Sequence, residues 1–530
     1  MNPEAFGCAP LPPVLKSRTT QSGRLYGRSL ATNIGFNVLH FAVISAIGVW
    51  YTPFLVHQLG PAVYGLIPLT TQVLEYLRVA TLGLNAGVGR YLTIALTGMD
   101  FEKANETFNT SVFGTLVIAL CLIPVGVLVT LNVERIFNLP AGFENDSAWL
   151  IGCSVVSFVI LAISAPFDIS SYCCNRFDVR NVILISSASM RVGLAVFLFI
   201  VIDPRLRYVG LAMIAAALFY FGASCVAWRR LTPELRLDFR FVRLATLQNL
   251  ISFGFWSVVN HLGTVLFLSV DLLVVNLLFG PESTGYYGAA LQWSLMLRAM
   301  AGAIAGVFGP TILRIFAEND LDRLLEYSRR AVRLVGTTIA LPVGLISGLS
   351  EPLVHLWLGP EFIHIAPLLS LLTFHLCVNL AFLPLHGVST AANKVFVPGI
   401  VSLIMGAGNL GLALLLGHSM GLGSYGVALA GAISLTAKNV VFTPIYSAHI
   451  LRVPAVTFLR ELPPVIVTSF SVAGASWLTA TYVDLTSWGR LATVLAVATA
   501  MYCTIAFYFL IGAEQRASMR ARFSLLFSAS

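Results

Sequence analysis

The stretch LGPAVYG at residues 59–65 has a close copy, FGPESTGYYG, at residues 279–288. In both places a Gly-Pro pair followed by a second glycine predicts a tight turn, and the turn joins two strongly apolar runs. Because the two turns lie about 220 residues apart, the pattern indicates that a whole structural unit occurs twice in this chain.

The composition identifies the environment of that unit. Of the 530 residues, 57% are hydrophobic and only 11% are charged, and the mean hydropathy is +0.84, values that exclude an ordinary soluble domain. Apolar runs of about 20 residues, long enough to cross a bilayer, predict fourteen transmembrane helices. These lie near residues 30–54, 63–86, 108–131, 147–167, 181–202, 207–228, 250–279, 285–308, 331–350, 363–386, 395–417, 424–446, 462–483 and 488–512.

The similarity between the two halves extends well beyond the turn. NAGVGRYL at 85–92 aligns with IAGVFGPTIL at 304–313, and IPVGVLV at 123–129 aligns with LPVGLIS at 341–347. Equivalent positions are separated by six helices, an even number, so both copies enter the membrane in the same orientation. A parallel repeat of this kind predicts two bundles related by a pseudo-twofold axis along the membrane normal, with a substrate path between them.

The sequence therefore predicts an all-α integral membrane protein with two parallel-repeat six-helix bundles and two additional C-terminal helices. The predicted boundaries are a tail at 1–29, a first bundle at 30–228, a linker at 229–249, a second bundle at 250–446, two further helices at 447–512, and a tail at 513–530.

The basic residues predict the orientation. Most of the 32 lysines and arginines fall in segments on the side of the amino terminus, whereas Arg135, Arg205, Arg207 and Arg490 fall on the opposite side. The positive-inside rule then places both termini in the cytoplasm, with the chain in the inner or plasma membrane. The same distribution explains the net charge of +8 without a nucleic-acid partner.

Three stretches resemble a known family. WYTPFLVHQLGPAVYGL at 50–66, TLGLNAGVGRYL at 81–92 and SVDLLVVNLLFGPESTGYYGAA at 269–290 are similar to polysaccharide-biosynthesis flippases, the Wzx-type O-antigen and exopolysaccharide translocases. These belong to the multidrug/oligosaccharidyl-lipid/polysaccharide exporter superfamily, which includes the MATE exporters. The resemblance covers about residues 30–512.

The resemblance implies a flippase that moves a polyprenyl-diphosphate-linked oligosaccharide across the membrane by alternating access. Its partners would be the lipid-linked oligosaccharide, membrane lipids, and the polysaccharide polymerase and chain-length machinery. Two relatives remain as alternatives: a cation-coupled exporter of drugs or small molecules, and a flippase for the peptidoglycan lipid precursor.

Ionisable residues inside the predicted helices are candidates for the functional site, because a charge at mid-bilayer costs about 2.5 to 3.5 kcal/mol on insertion scales. The bases outnumber the acids, which favours an anionic cargo. The bases are Arg78, Arg191, Arg298 and Lys438, and the acids are Glu75 and Asp271.

Arg78 and Arg298 lie 220 residues apart, at equivalent positions of the repeat. We expect them to bind the diphosphate of the cargo as a pseudo-symmetric pair, since a guanidinium group can hold phosphate through two hydrogen bonds. Lys438 and Arg191 are further candidates. The alternative is that ion pairs, Arg78 with Glu75 and Arg298 with Asp271, neutralise these charges.

Asp271 lies in the apolar stretch FLSVDLLVVNLL. By resemblance, a carboxylate in the seventh helix couples transport to Na⁺ or H⁺, and Asp271 with Glu75 is the candidate; an ion pair of Asp271 with Lys438 or Arg298 is the alternative. No other cofactor and no metal site are predicted.

A membrane enzyme, such as a polysaccharide polymerase, is the competing class. Such enzymes need a loop or domain outside the membrane for acid–base or metal chemistry. The predicted far-side loops are short, and no HExxH, GxSxG or GxxxxGK[ST] pattern occurs in the chain. The sequence therefore favours a transporter that is not an enzyme.

Overall fold

A computed structural model of the chain describes residues 30–505, and all of their regular secondary structure is helical. The predicted tails at 1–29 and 513–530, and the last residues of the fourteenth predicted helix, lie outside this range. In the first half the helices are α1 (Leu30–Leu59), α2 (Pro61–Tyr64), α3 (Leu66–Thr97), α4 (Phe101–Leu131), α5 (Val133–Ile136), α6 (Glu144–Cys173), α7 (Phe177–Val201) and α8 (Leu206–Leu231).

The second half begins after an irregular segment at 232–243. Its helices are α9 (Leu244–Leu268), α10 (Val270–Gly306), α11 (Gly309–Ala317), α12 (Leu321–Gly348), α13 (Ser350–Leu358), α14 (Ala366–Phe374), α15 (Leu376–Asn379), α16 (His386–Ala391), α17 (Phe396–Ala413), α18 (Gly423–Thr436) and α19 (Thr443–Leu451), followed by the two additional helices α20 (Leu462–Tyr482) and α21 (Trp488–Ile505).

Thirteen stretches of the described chain are helical, long and apolar enough to cross a membrane. One of them, Val258–Ala317, has 60 residues and would be about 90 Å long as a straight helix, three times the thickness of the hydrocarbon core. Its backbone leaves the helical conformation at Gly280, inside α10. The stretch therefore contains two of the predicted crossings, which meet at the repeated Gly-Pro turn.

The repeat is visible in the backbone conformation of the turns. Gly60 and Gly280, which both precede a proline, have φ values of 77° and 83°. Three further pairs of residues at equivalent turns have a positive φ: Met99 with Asn319, Gly142 with Gly359, and Asn175 with Asn393. A positive φ is uncommon for residues other than glycine, so these shared values show that the two halves are built alike.

The turn that follows the second span of each half is also capped alike. Asp100 accepts a hydrogen bond from the backbone N–H of Lys103 (3.1 Å), and Asp320 accepts one from the N–H of Arg323 (3.0 Å). An aspartate at this position satisfies one of the free N–H groups at the start of a helix. The Lys103 ammonium also donates to the Asp100 carboxylate (3.0 Å), and these hydrogen bonds lower the pKa of that carboxyl.

The helices end at two opposite faces of the protein. The amino-terminal face is the end at which α1 begins, and the far face is the end that carries the Gly60 and Gly280 turns. At the far face the two turns contact each other, because a Cβ atom on Gly285 would lie 1.9 Å from the Pro61 carbonyl oxygen. The repeated turn thus forms part of the contact between the halves.

Two further contacts join the halves toward the far face. The Asn138 backbone N–H donates to Asn276 Oδ1 (3.0 Å), its side chain donates to the Asn276 carbonyl (2.8 Å), and Asn276 Nδ2 donates to the Asn138 carbonyl (3.1 Å). The Trp357 indole donates to the Val49 carbonyl of α1 (2.6 Å). The two contacts are equivalent in the repeat. The segment after α4 contacts α10 in the first span of the second half, and the segment after α12 contacts α1, the first span of the first half.

Toward the amino-terminal face, α3 of the first half packs closely against α9 of the second half. A Cβ atom on Gly254 would lie 1.8 Å from the Gly83 carbonyl oxygen, and one on Gly87 would lie 2.7 Å from the Leu250 carbonyl oxygen. Small residues let two membrane helices approach to backbone contact. The two halves therefore meet at both faces.

The halves differ in the regularity of their helices. The spans α3, α4, α6, α7 and α8 are unbroken, whereas α9 and α10 are separated by Ser269 in the middle of a span. Residues 366–391 form three short helices instead of one, and the last two spans of the second half contain the π-helical segments Leu414–Ser419 and Ala437–Phe442. Such interruptions often mark ligand sites within membranes.

The additional helix α20 is attached to α12 of the second half. Gly336, Ala340, Gly344 and Gly348 recur at every fourth residue of α12, and a Cβ atom on Gly348 would lie 2.4 Å from the Ala473 carbonyl oxygen of α20. Glu461, just before α20, is buried and paired with two arginines of α12, Arg329 (2.7 Å) and Arg333 (2.6 Å).

Candidate functional site

The interrupted helices of the second half surround Asp271. This residue lies in the first turn of α10, directly after the break at Ser269, and is only 8% exposed. Asn409 Nδ2 donates to its Oδ1 atom (2.9 Å), and the Tyr287 hydroxyl donates to its Oδ2 atom (3.4 Å). A buried carboxylate is thus held by two neutral donors from other parts of the second half.

Gly431 of α18 makes room for this carboxylate. A Cβ atom at position 431 would lie 2.9 Å from Asp271 Oδ2 and 4.0 Å from Asn409 Oδ1. The Asn409 Oδ1 atom is buried and accepts no hydrogen bond from the described residues. Two side-chain oxygens therefore converge on the space beside Gly431, an arrangement suited to a hydrogen-bond donor or a small cation.

A small cavity opens next to Asp271. It encloses about 20 Å³, room for about one water molecule, and its polar lining consists of Asp271, Ser294, Arg298 and His375. The Arg298 Nε atom donates to Ser294 Oγ (3.3 Å). Arg298 and Asp271 share this cavity and lie within electrostatic range of each other, but they form no direct ion pair.

Lys438, in the π-helical segment Ala437–Phe442, contacts a residue that lines this cavity. Its ammonium lies 5.2 Å from the ring centroid of Phe267, a buried residue that also lines the cavity. Among the described residues Lys438 has no carboxylate within ion-pair distance, so the structure shows no ion pair between Lys438 and Asp271. Its contact is a cation–π interaction.

A polar network continues from His375 into the irregular region. Asn379 Nδ2 lies 2.8 Å from His375 Nδ1 and 3.1 Å from Thr436 Oγ1, and Asn439 Nδ2 donates to the Asn379 carbonyl (3.3 Å). The Oδ1 atoms of Asn379 and Asn439 are buried and accept no hydrogen bond from the described residues. Acceptor atoms are thus left over beside the cavity.

The sequence analysis missed several members of this site. They are Tyr287, His375, Asn379, Asn409, Gly431 and Asn439. The signal that could have found them is the presence of asparagine within the apolar runs HLCVNLAF, MGAGNLG and AKNVVF, because a polar amide in a membrane span needs a partner.

The remaining predicted residues lie in the first half. Arg78 and Glu75 form an ion pair (3.0 Å) with side chains 55% and 28% exposed, which confirms the predicted pairing for this arginine. Arg191 of α7 is exposed, lies within electrostatic range of the Tyr51 hydroxyl of α1, and has no ion pair among the described residues.

The two equivalent arginines have different surroundings, although they occupy matching spans. Arg298 lies beside Asp271, and the residue 220 positions before Asp271 is Tyr51. The first half therefore has no carboxylate at the equivalent position, and Arg78 takes its partner from its own helix. The structure brings Asp271 and Arg298 to one cavity, places Lys438 against Phe267 of its lining, and keeps Arg78, Glu75 and Arg191 in the other half.

Comparison with known proteins gives the same architecture. The chain is similar to two solved transporters: the lipid II flippase MurJ in an inward closed conformation (15% identity, TM-score 0.57, covering 89% of this chain and 100% of the other) and a MATE family multidrug transporter of the MOP superfamily in an inward-facing conformation (14% identity, TM-score 0.55, covering 84% and 96%). At these identities the similarity establishes the fold.

Sequence similarity establishes the family. The chain is 33% identical over 495 residues to the "Uncharacterized membrane protein EpsK" of Bacillus subtilis (strain 168), covering 93% of this chain and 97% of that protein. Residues 55–367 match the family described as "Polysaccharide biosynthesis protein". The chain therefore belongs to the polysaccharide biosynthesis protein family, and it has the fold of the transporters and flippases of the MOP superfamily.

Proposed function

We propose that this protein is a flippase for a polyprenyl-diphosphate-linked oligosaccharide, which it moves from the amino-terminal face to the far face by alternating access. The amino-terminal face is the cytoplasmic one, as the positive-inside rule predicts from the basic residues. This orientation places both termini in the cytoplasm. The proposed activity is transport and not catalysis.

The observation that carries the proposal is that several basic side chains within the membrane spans have no acidic partner. Arg191, Arg298 and Lys438 have no carboxylate partner within ion-pair distance among the described residues. A charge in a membrane needs a partner, a polar cavity or a ligand. A diphosphate supplies the missing negative charge, and the planar guanidinium group of Arg298 can hold it through two hydrogen bonds. Arg78 would have to exchange its Glu75 partner for the phosphate.

The contacts between the halves support alternating access. Hydrogen bonds and glycine contacts join the halves near the far face, whereas the close contact near the amino-terminal face involves α3 and α9. A cargo that enters between the halves from one face can leave by the other only if these two sets of contacts break in turn.

A reconstituted transport assay tests this function. Vesicles that contain the purified protein and a fluorescent polyprenyl-diphosphate saccharide should transfer the saccharide between leaflets faster than vesicles without protein. Unlabelled lipid-linked saccharide should compete, and a cationic drug should not. Competition by the drug alone would support the alternative of a multidrug exporter, and competition by the peptidoglycan precursor alone would support the other alternative.

The oxygen cluster at Asp271 supports coupling of transport to a cation, Na⁺ or H⁺. Replacing Asp271 by Asn keeps the shape but removes the charge that would hold the cation, so transport by Asp271→Asn should no longer respond to an imposed sodium or proton gradient. The basal, gradient-free rate is the control. Glu75→Gln serves as the matched variant, because Glu75 is paired with Arg78. An unchanged gradient response in Asp271→Asn would contradict this role.

A further inference from the structure

The segment at 232–243, which joins α8 to α9, lies along α4 in a fixed register. Asn105 donates to the Glu234 carbonyl (3.1 Å) and accepts from the Arg236 N–H (2.7 Å). Asn109, one turn later, donates to the Arg236 carbonyl (2.8 Å) and accepts from the Asp238 N–H (2.9 Å). We call this segment the basic strap.

Each asparagine makes two hydrogen bonds to the strap backbone, as a neighbouring β-strand would. The Arg243 N–H donates to Thr110 Oγ1 (3.1 Å), and Leu235 is fully buried. The backbone of the strap is therefore ordered without any help from its arginine side chains. A ligand that binds these side chains therefore does not have to fix the backbone of the strap, and the entropic cost of binding is lower.

The arginines of the strap are exposed and unpaired. Arg236, Arg240 and Arg243 are all exposed, and none of them is in an ion pair among the described residues. Arg229 and Arg230, at the end of α8, are exposed as well. Residues 229–243 hold five arginines against two carboxylates, so the surface is positively charged.

By contrast, the turn of the second half formed by α11 and the start of α12 is neutralised. Every arginine of α11 and of the first turns of α12 has a carboxylate partner. The pairs are Arg314–Glu318 (3.9 Å), Arg323–Glu318 (3.0 Å), Arg330–Glu326, Arg329–Glu461 (2.7 Å) and Arg333–Glu461 (2.6 Å). The strap therefore differs from α11 and α12, whose arginines are neutralised.

Apolar side chains alternate with these arginines. Leu237 is 44% exposed, Phe239 is 58% exposed, and Leu244, the first residue of α9, is 70% exposed. The strap connects the ends of two membrane spans and therefore lies at the level of the lipid headgroups. Exposed apolar groups among cationic ones match the boundary between acyl chains and anionic headgroups.

We propose that the basic strap binds the headgroups of anionic phospholipids in the leaflet at the amino-terminal face. The arginines contact the phosphates, and Phe239 and Leu237 enter the acyl boundary. Because the strap is fixed to α4, the bound lipid holds the first half at that leaflet. This site is separate from the one around Asp271.

Native mass spectrometry of the full chain tests the proposal by comparing retained phosphatidylglycerol with retained phosphatidylcholine. The wild type should retain more phosphatidylglycerol than phosphatidylcholine. In the variant Arg236→Gln/Arg240→Gln/Arg243→Gln this ratio should fall by about fivefold for each arginine removed at low salt. High salt should reduce the preference of the wild type, because it screens exposed charges.

A control variant removes the same number of charges from the ion-paired arginines of α11 and α12. Arg314→Gln/Arg323→Gln/Arg330→Gln should keep the preference, since those arginines are already neutralised. Arg236→Lys/Arg240→Lys/Arg243→Lys should also keep most of it. Thermal unfolding checks that each variant is folded. Equal loss in the strap variant and the control variant would overturn the proposal.

The lipid-linked cargo also carries phosphate, so a second experiment must distinguish binding of phospholipid headgroups from binding of the cargo diphosphate. The experiment is repeated with vesicles that contain polyprenyl diphosphate in phosphatidylcholine and no phosphatidylglycerol. The proposal requires that the strap variant lose phosphatidylglycerol in the first experiment. If the variant differs from the wild type only in its retention of polyprenyl diphosphate, the strap receives cargo and the assignment to bulk lipid is wrong.

Discussion

Replacing Arg298 by alanine should reduce translocation of a lipid-linked saccharide by about 100-fold, the effect expected from removing one member of a buried, hydrogen-bonded charge pair. Arg298 lines the cavity beside Asp271, donates to Ser294, and has no carboxylate within ion-pair distance in the part of the chain that the structure describes. Under the proposed function, its guanidinium is the group that binds the diphosphate of the cargo. The measurement is the initial rate of transfer between leaflets in reconstituted vesicles.

Two substitutions separate this role from charge balance. Arg298→Lys keeps the charge but removes the forked geometry, so it should already slow translocation. Arg78→Ala should have a smaller effect, because Arg78 is more than half exposed and is paired with Glu75. This difference would not be expected if the repeat made the two arginines equivalent in function.

The outcome that would contradict the phosphate role is rescue. If Arg298→Ala/Asp271→Asn transports as well as the wild type, then Arg298 serves to neutralise Asp271 across the shared cavity. Protection against thermal unfolding gives a second readout, since a bound ligand stabilises the folded protein by mass action. Polyprenyl diphosphate should protect the wild type more than Arg298→Ala.

Adding one methyl group at Gly285 or at Gly254 should shift the protein toward opposite conformations. A Cβ atom at Gly285 would lie 1.9 Å from the Pro61 carbonyl oxygen at the far face, and one at Gly254 would lie 1.8 Å from the Gly83 carbonyl oxygen nearer the amino-terminal face. Both neighbours are backbone atoms, so the helices must separate. Overpacking of this kind costs about 1–3 kcal/mol, which shifts a two-state equilibrium about 5- to 150-fold.

Distances between spin labels at each face measure the shift. Gly285→Ala should lengthen the distance between labels at Leu131 and Leu422 near the far face, and Gly254→Ala should lengthen the distance between labels at Met99 and Leu321 at the other face. Both variants should transport slowly. Gly302→Ala is the control on α10, because a Cβ atom there meets nothing within 4 Å. A lengthening at the same face in both variants would argue against alternating access.

Much of the fold could be predicted from the sequence because its determinants are local. Apolar runs of the length of a bilayer specify membrane spans, and Gly-Pro with a positive φ at Gly60 and Gly280 specifies the same turn twice. The repeat also reaches details that were not predicted, such as the left-handed residues Met99 and Asn319 and the caps Asp100 and Asp320. Each depends on a few neighbouring residues, which the sequence displays directly.

The candidate site could be predicted only in part. Ionisable residues in apolar runs are conspicuous, so Asp271, Arg298 and Lys438 were found, and the ion pair of Arg78 with Glu75, three residues apart on one helix, followed from helical spacing. Arg298 and Asp271 share a cavity without a direct contact, and the sequence could not give their separation, because it depends on how α10 bends at Gly280 and how Ser269 interrupts the span.

The sequence by itself determined that the chain is a membrane protein with two copies of one unit, since hydropathy and turn chemistry act over a few residues. Only the tertiary structure decided that the copies are unequal. The broken helices, the π-helical segments and the asparagines around Asp271 all occur in the second half, and the basic strap is held by Asn105 and Asn109 of the first. These features depend on contacts between residues more than 100 positions apart, whose free energies no local pattern records.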